Sequence, residues 1–205
     1  MINAIFIIFR CECHTLNAFE FVNSLDTNQH LFQIITDDAK AKNTQFQFIN
    51  NGLLKNEYCI YFTHEDPDAI KDEMKKSGID VEKFSKNGLL HIYKVPDLLS
   101  HPNGSLAGFQ EFCSKIMPDP KTRFRIVGRA IEDLTTEKGR NAEIEIEQFV
   151  HSNFEKMNGM ILCYYEYEKL GDRGAMSFIT HVLSYHSGAI FSTVSEPNFA
   201  YAVNH

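Results

Sequence analysis

The chain has 205 residues, 43% of them hydrophobic and 23% charged, with a formal net charge of −7. That length supports one well-cored unit rather than two large ones, and the composition excludes a disordered polymer. The acidic balance, with a sequence pI near 5.7, argues against direct nucleic-acid binding and against retention on an anionic membrane.

The first stretch, Met1 to Phe9, is apolar but lacks a basic leader and a small-residue cleavage site, so it does not read as a signal peptide. No apolar run approaches the roughly 18 residues of a membrane span. Cys11-Glu12-Cys13-His14 has a metal-ligand flavour, yet a lone C-x-C-H without a second ligand pair falls short of a four-ligand zinc site. An exposed tail is the plainer reading. Residues 1–16 are therefore taken as an N-terminal extension and 17–205 as one domain. The five cysteines are an odd number, and Cys59 and Cys163 lie inside apolar strand-like runs. This predicts a reduced, cytoplasmic protein rather than a disulfide scaffold.

A short helical stretch from Asn17 leads to a polar turn at Asp26–His30, and Leu31–Ile35 is a compact strand. Thr36-Asp37-Asp38 opens a helix carrying Phe46, Ile49 and Leu53 on one face. Tyr58–Phe62 is a buried strand that runs into Thr63-His64-Glu65-Asp66, where Asp66 before Pro67 predicts a capped helix start. Ser77-Gly78 stops that helix, a second short one ends at Asn87-Gly88, and Leu89–Val95 is the next strand. A loop from Pro96 to Gly104 precedes a helix with Leu106, Phe109, Cys113 and Ile116. Thr122–Ala130 reads as a strand ending in Gly128-Arg129. The acidic run Ala142–Glu147 belongs to a helix whose apolar face holds Ile146, Phe149, Val150, Phe154 and Met157. Met160–Tyr165 is the most apolar strand, Gly171–Leu183 a helix, and Ala189–Val194 a last strand before a loosely held tail. Strands alternating with helices predict an α/β three-layer sandwich with a mostly parallel central sheet and right-handed crossovers.

A phosphate-binding loop should follow the first core strand, but Thr36–Thr44 contains no glycine and carries two aspartates. Its backbone cannot easily curl around an anion, so conventional nucleotide hydrolysis is not expected. Open α/β sheets place ligands at the carboxyl ends of their strands. There the chain offers Glu65, Arg129 and Tyr165, a carboxylate, a guanidinium and a phenol, which suits recognition of a small polar molecule better than nucleophilic catalysis. Glu65 facing solvent, or simply pairing with Arg129, remains the alternative. His30 and His186 both precede strands, which places them at the opposite edge from Glu65; for a lone histidine a structural role is the commoner one.

The succession His30-Leu-Phe-Gln-Ile, Tyr58-Cys-Ile-Tyr-Phe-Thr-His-Glu65, Gly78-Ile-Asp-Val, Gly88-Leu-Leu-His-Ile-Tyr, Arg125-Ile-Val-Gly128 and Leu162-Cys-Tyr-Tyr165 resembles the MEDS domain, a sensory domain of methanogens and methylotrophs. The resemblance spans roughly residues 21–194. It implies a RecA/KaiC-like fold that has lost its phosphate-binding loop, and a non-catalytic role in small-molecule sensing. His30, Tyr61, Glu65, Tyr165 and His186 stand at the family's recurrent polar positions, whereas Arg129 replaces a commonly acidic residue. The expected ligand set is thus Glu65, Arg129, Tyr165, Tyr61, His30 and His186, with no catalytic residue, metal or cofactor. Family members are often fused to DNA-binding or kinase modules. This chain has no room for either, so its output is expected to reach a kinase or transcription regulator through protein contacts. Self-association into a homo-oligomer is compatible with that role. A degenerate nucleotide-binding protein and a structural oligomerisation module are the competing readings.

Overall fold

A computed structural model of the protein describes residues 16–171, 174–194 and 199–202. The Cys11–His14 motif and the apolar stretch 1–9 lie outside the described residues. Among the described residues eight strands form one sheet in the order β1-β8-β7-β2-β6-β5-β3-β4. β2 (Gln29–Ile35), β3 (Tyr58–Thr63), β4 (Leu90–Lys94), β5 (Phe124–Gly128), β6 (Gly159–Glu166) and β7 (Gly188–Ser192) correspond to the strands expected from sequence. All of these pairings are parallel.

The edge beyond β7 was not anticipated. β8 (Phe199–Ala202) pairs antiparallel with β7, and the two-residue β1 (Leu16–Asn17) pairs antiparallel with β8. This part of the tail, expected to be loosely held, covers main-chain donors and acceptors that an open edge at β7 would leave unpaired.

The central strands are buried on both faces, and alternate residues divide them between two apolar clusters. Leu31 and Ile35 of β2, Tyr61 of β3, Val127 of β5 and Leu162 of β6 join one cluster. It also takes in residues of α1 (Ala18–Ser24), α2 (Asp38–Leu54), α3 (Pro67–Lys76) and α4 (Val81–Lys86). Phe32, Ile34, Phe62, Ile126, Cys163 and Tyr165 belong to the other cluster. There they meet α5 (Ser105–Ile116), α6 (Glu137–Phe154) and α7 (Ala175–Leu183). The chain therefore winds outward from β2 to β4 over one face and returns from β4 to β7 over the other, as right-handed crossovers require.

Local chemistry sets the helix entries. Asp66 accepts from the Asp68 N–H at 3.0 Å, with Pro67 at the first helical position, as its place before proline predicts. Asp37 accepts from the Lys40 N–H at 3.1 Å and caps α2. Thr136 caps α6 by accepting from the Gly139 N–H at 3.1 Å. Among the described residues no helix is long and apolar enough to cross a membrane.

Candidate functional site

The six residues expected to line one crevice are distributed over three places. Glu65 stands at the carboxyl end of β3 with a largely exposed side chain, 58%, and pairs with Lys42 at 3.2 Å. Lys42 is held more closely by Glu73, at 2.8 Å. Arg129, at the end of β5, is buried and pairs with Glu166 at 2.8 Å rather than with Glu65. His64 lies close by, and burial and the Arg129 charge pull its imidazole down to about 4. Tyr61 lies under α2, on the sheet face away from Tyr165, and its hydroxyl donates to Gln45 Oε1 at 2.6 Å. The Gln45 amide in turn donates to Gln33, and Gln33 to Ser192.

Tyr165, His30 and His186 do come together, beneath α6, because His30 and Tyr165 lie on the same face of the adjacent strands β2 and β6. His186 reaches the same place from the turn before β7, which pairs with β2 on its other side. They meet around two glutamates of α6. Glu147 Oε2 lies 3.3 Å from His30 Nε2 and 3.6 Å from His186 Nε2. Glu147 Oε1 accepts a short hydrogen bond from the Tyr165 hydroxyl. Cys163 Sγ is 3.4 Å from His30 Nε2. One turn earlier, Glu143 accepts from the main-chain N–H groups of Ala130 at 3.2 Å and Ile131 at 2.6 Å, and lies 3.2 Å from the Tyr165 hydroxyl. The two carboxylates thus tie the sheet, the segment after β5 and α6 into one buried network.

Aromatic rings enclose this network. Phe154 stacks on His30 with centroids 5.3 Å apart, Phe32 meets His186 edge-on at 5.8 Å, and the two imidazoles lie 3.9 Å apart. Each imidazole is oriented through its far nitrogen. His186 Nδ1 is 2.7 Å from the Val182 carbonyl oxygen, and His30 Nδ1 is 3.2 Å from that of Tyr185. A carbonyl only accepts, so in both rings Nδ1 carries the proton, and in a neutral ring Nε2 presents its lone pair to the cluster.

The low dielectric of the enclosure separates the two acids. Burial opposes the charge on Glu147, but the His186 and His30 imidazoles and the Tyr165 hydroxyl outweigh it and hold its carboxyl below the usual carboxylate range. Burial and the adjacent Glu147 push the Glu143 carboxyl up. Burial and His30 pull the His186 imidazole down to about 3. Burial pushes the Cys163 thiol up.

Glu143, Glu147 and Cys163 were not among the residues expected from sequence. The sequence places the acidic run in a helix without a role for its carboxylates, and Cys163 inside an apolar strand as a small hydrophobe. A signal was nonetheless present. Gly139, Glu143, Ile146, Glu147 and Val150 recur at helical spacing and are all buried, so both acids fall in phase with the apolar stripe.

Beside the network, a cavity of about 330 Å³ opens between the amino-terminal parts of α6 and α7, lined by Arg140, Asn141, Ile144, Ser177 and Phe178 among others. Phe178 closes its inner wall and packs edge-on against Tyr165 at 5.3 Å. Arg140 is held by the carbonyls of Leu134, Thr135 and Leu170.

The profile of the MEDS family, described as the MEthanogen/methylotroph, DcmR Sensory domain, matches residues 29–187. No curated protein matches the chain at a significant level. Among solved structures, a KaiC-like protein from the hyperthermophilic archaeon Pyrococcus horikoshii OT3 is similar in fold. It has a TM-score of 0.55 at 20% sequence identity, with 80% of this chain and 70% of that chain covered. At that identity the likeness is one of architecture, a RecA/KaiC-like three-layer sheet.

Proposed function

We propose a function from one premise, that this chain belongs to the MEDS family of sensory domains: it is a non-catalytic cytoplasmic sensor that binds a small molecule and reports to a partner protein. The observation that carries this reading is the adjacency of a ligand-sized cavity to the buried network. A molecule seated between α6 and α7 would rest on Phe178, which touches Tyr165. Tyr165 in turn donates to Glu147, between the two histidines. Displacement of one ring would be felt in three strands and two helices, because a close-packed interior transmits strain. Tyr165, His30 and His186 form the inner part of this sensing site; Glu65, Arg129 and Tyr61 take no part in it.

The helix end that phosphate would occupy also supports a non-catalytic reading. The first turn of α2 is capped by the Asp37 carboxylate, a negative group where a nucleotide needs bare N–H donors. Glu65, the exposed carboxylate at the end of β3, pairs with Lys42.

A thermal-shift experiment tests the proposal. ATP with Mg²⁺ at millimolar concentration should leave the melting temperature unchanged. Within a set of metabolites and short methylated or halogenated hydrocarbons, at least one should raise it. Binding at 100 times Kd adds about 2.7 kcal/mol, a clear shift for a domain of this size. A rise with ATP and none with any small organic compound would replace the sensor by a nucleotide-binding protein.

A further inference from the structure

The buried network brings two imidazoles, a carboxylate and a thiol to one place. Glu147 Oε2 is buried and accepts no hydrogen bond among the described residues. The ring nitrogens nearest to it, 3.3 and 3.6 Å away, belong to imidazoles whose Nδ1 atoms face carbonyls. Two imidazole nitrogens, one carboxylate oxygen and one sulfur converge in a buried space lined by aromatic rings. All four atoms lie within 4.8 Å of one another. Groups of these kinds, buried and so close together, are the ones that take up a divalent transition-metal ion.

We propose that His30, Glu147, Cys163 and His186 form a closed four-ligand site for a divalent transition-metal ion, with Zn²⁺ as the occupant. Tetrahedral zinc with bonds of about 2.0–2.3 Å sets its ligand atoms roughly 3.3–3.8 Å apart. The distances 3.3, 3.4 and 3.6 Å fall in that range. The donor set of thiolate, two imidazoles and a carboxylate suits zinc and disfavours Mg²⁺ and Ca²⁺, which take all-oxygen shells. The outer contacts are those of a metal site. Carbonyls of Val182 and Tyr185 orient the rings through Nδ1, and Tyr165 donates to the second oxygen of Glu147.

The charge balance agrees as well. Binding displaces the Cys163 thiol proton to solvent, and thiolate plus carboxylate then neutralise a 2+ ion in a buried place. All four residues are buried and all four positions are filled by protein, so the ion would be structural rather than hydrolytic. It would lock β2, β6, β7 and α6 together behind Phe178 and Tyr165. In that respect the inference rests on the sensory reading and specifies the chemistry of the same site.

The full chain, stripped with a chelator and titrated with Co²⁺, provides the test. Thiolate-to-cobalt charge-transfer absorption should appear and saturate at one ion per chain, and Zn²⁺ should displace it. The band should persist in a Cys11→Ser/Cys13→Ser double variant and vanish in Cys163→Ser. Absence of the band in the parent protein overturns the proposal. So does its loss in the double variant with retention in Cys163→Ser. Should Cys163→Ser fail to fold, X-ray absorption at the zinc edge of the zinc-loaded parent decides. One sulfur with three nitrogen or oxygen neighbours supports the site; two sulfurs, or none, overturn it. The small-molecule shifts are read separately on metal-free and zinc-loaded protein. A compound that shifts a protein unable to bind metal removes the ion and keeps the sensor; bound metal without any compound shift does the reverse.

Discussion

At the scale of single residues, the decisive groups are polar ones that burial has forced into partnership. Arg125 is fully buried in β5, with Nε donating to Glu57 Oε2 at 2.5 Å, Nη1 to the Phe48 carbonyl at 3.1 Å, and the guanidinium over the Phe48 ring. Glu57 also accepts from Arg123 Nε at 2.9 Å. The pair sits at the start of β3, where it joins α2 to β5. Removing one partner of a buried ion pair leaves an uncompensated charge and typically costs about 3–5 kcal/mol. Glu57→Ala is therefore expected to lose about that much stability in urea denaturation, whereas a loss below 1 kcal/mol would show the charge escaping to water. The contrast with Glu65 is instructive. Both are glutamates flanking β3, but Glu65 is exposed and solvent screens its contact with Lys42, so it carries little energy.

At the scale of elements, α6 is the piece that builds the site. Its apolar stripe packs on the sheet, its two acids enter that stripe, and its N-cap fixes where the stripe begins. The cap geometry brings Gly139 against the preceding segment, so that a methyl there would fall on the Asp133 carbonyl oxygen. Gly139→Ala should therefore destabilise by about 1–3 kcal/mol through overpacking, despite the better helix propensity of alanine. It should also weaken any small-molecule shift, since Glu143 and Glu147 lie one and two turns further along. A stabilised variant in thermal denaturation would refute this account of the α6 entry. By comparison α3, whose Asp66-Pro67 start is equally well formed, buries only Ile70 and Met74 and carries no residue of the network.

At the scale of the whole molecule, the sheet order places β2 and β6 at the centre, each paired on both sides over most of its length. β4 closes the far edge and pairs only with β3 among the described residues. Protection against hydrogen exchange should follow this order. Amides of β2 and β6 are expected to exchange last, near the global unfolding limit, and those of β4 markedly sooner. Equal protection of β4 and β2 in a native-state exchange experiment would contradict it. Because His30 and Cys163 belong to the two central strands, the site occupies the most rigid part of the sheet, while the α6–α7 cavity adjoins the outer layer. A ligand could thus act on a stable core through a single aromatic contact, Phe178 on Tyr165.

What the sequence determined by itself was set by local rules. Period-two and period-3.6 patterns placed the six parallel strands and the helices between them, Asp66-Pro67 marked a helix start, and the glycine-free Thr36–Thr44 stretch announced that no phosphate loop would form. The matching phrases along the chain pointed to the MEDS family, which the profile match over residues 29–187 bears out. The tertiary structure alone decided which side chains share a space. His30, Glu147, Cys163 and His186 are far apart in the chain, and their meeting depends on β6 and β7 flanking β2 and on α6 lying across that face. Strand order and helix placement follow from long-range packing, which no short window encodes. For the same reason Tyr61 parts from Tyr165: it pairs with Val127, whose partner on β6 is Leu162, an odd number of residues and hence one face away from Tyr165.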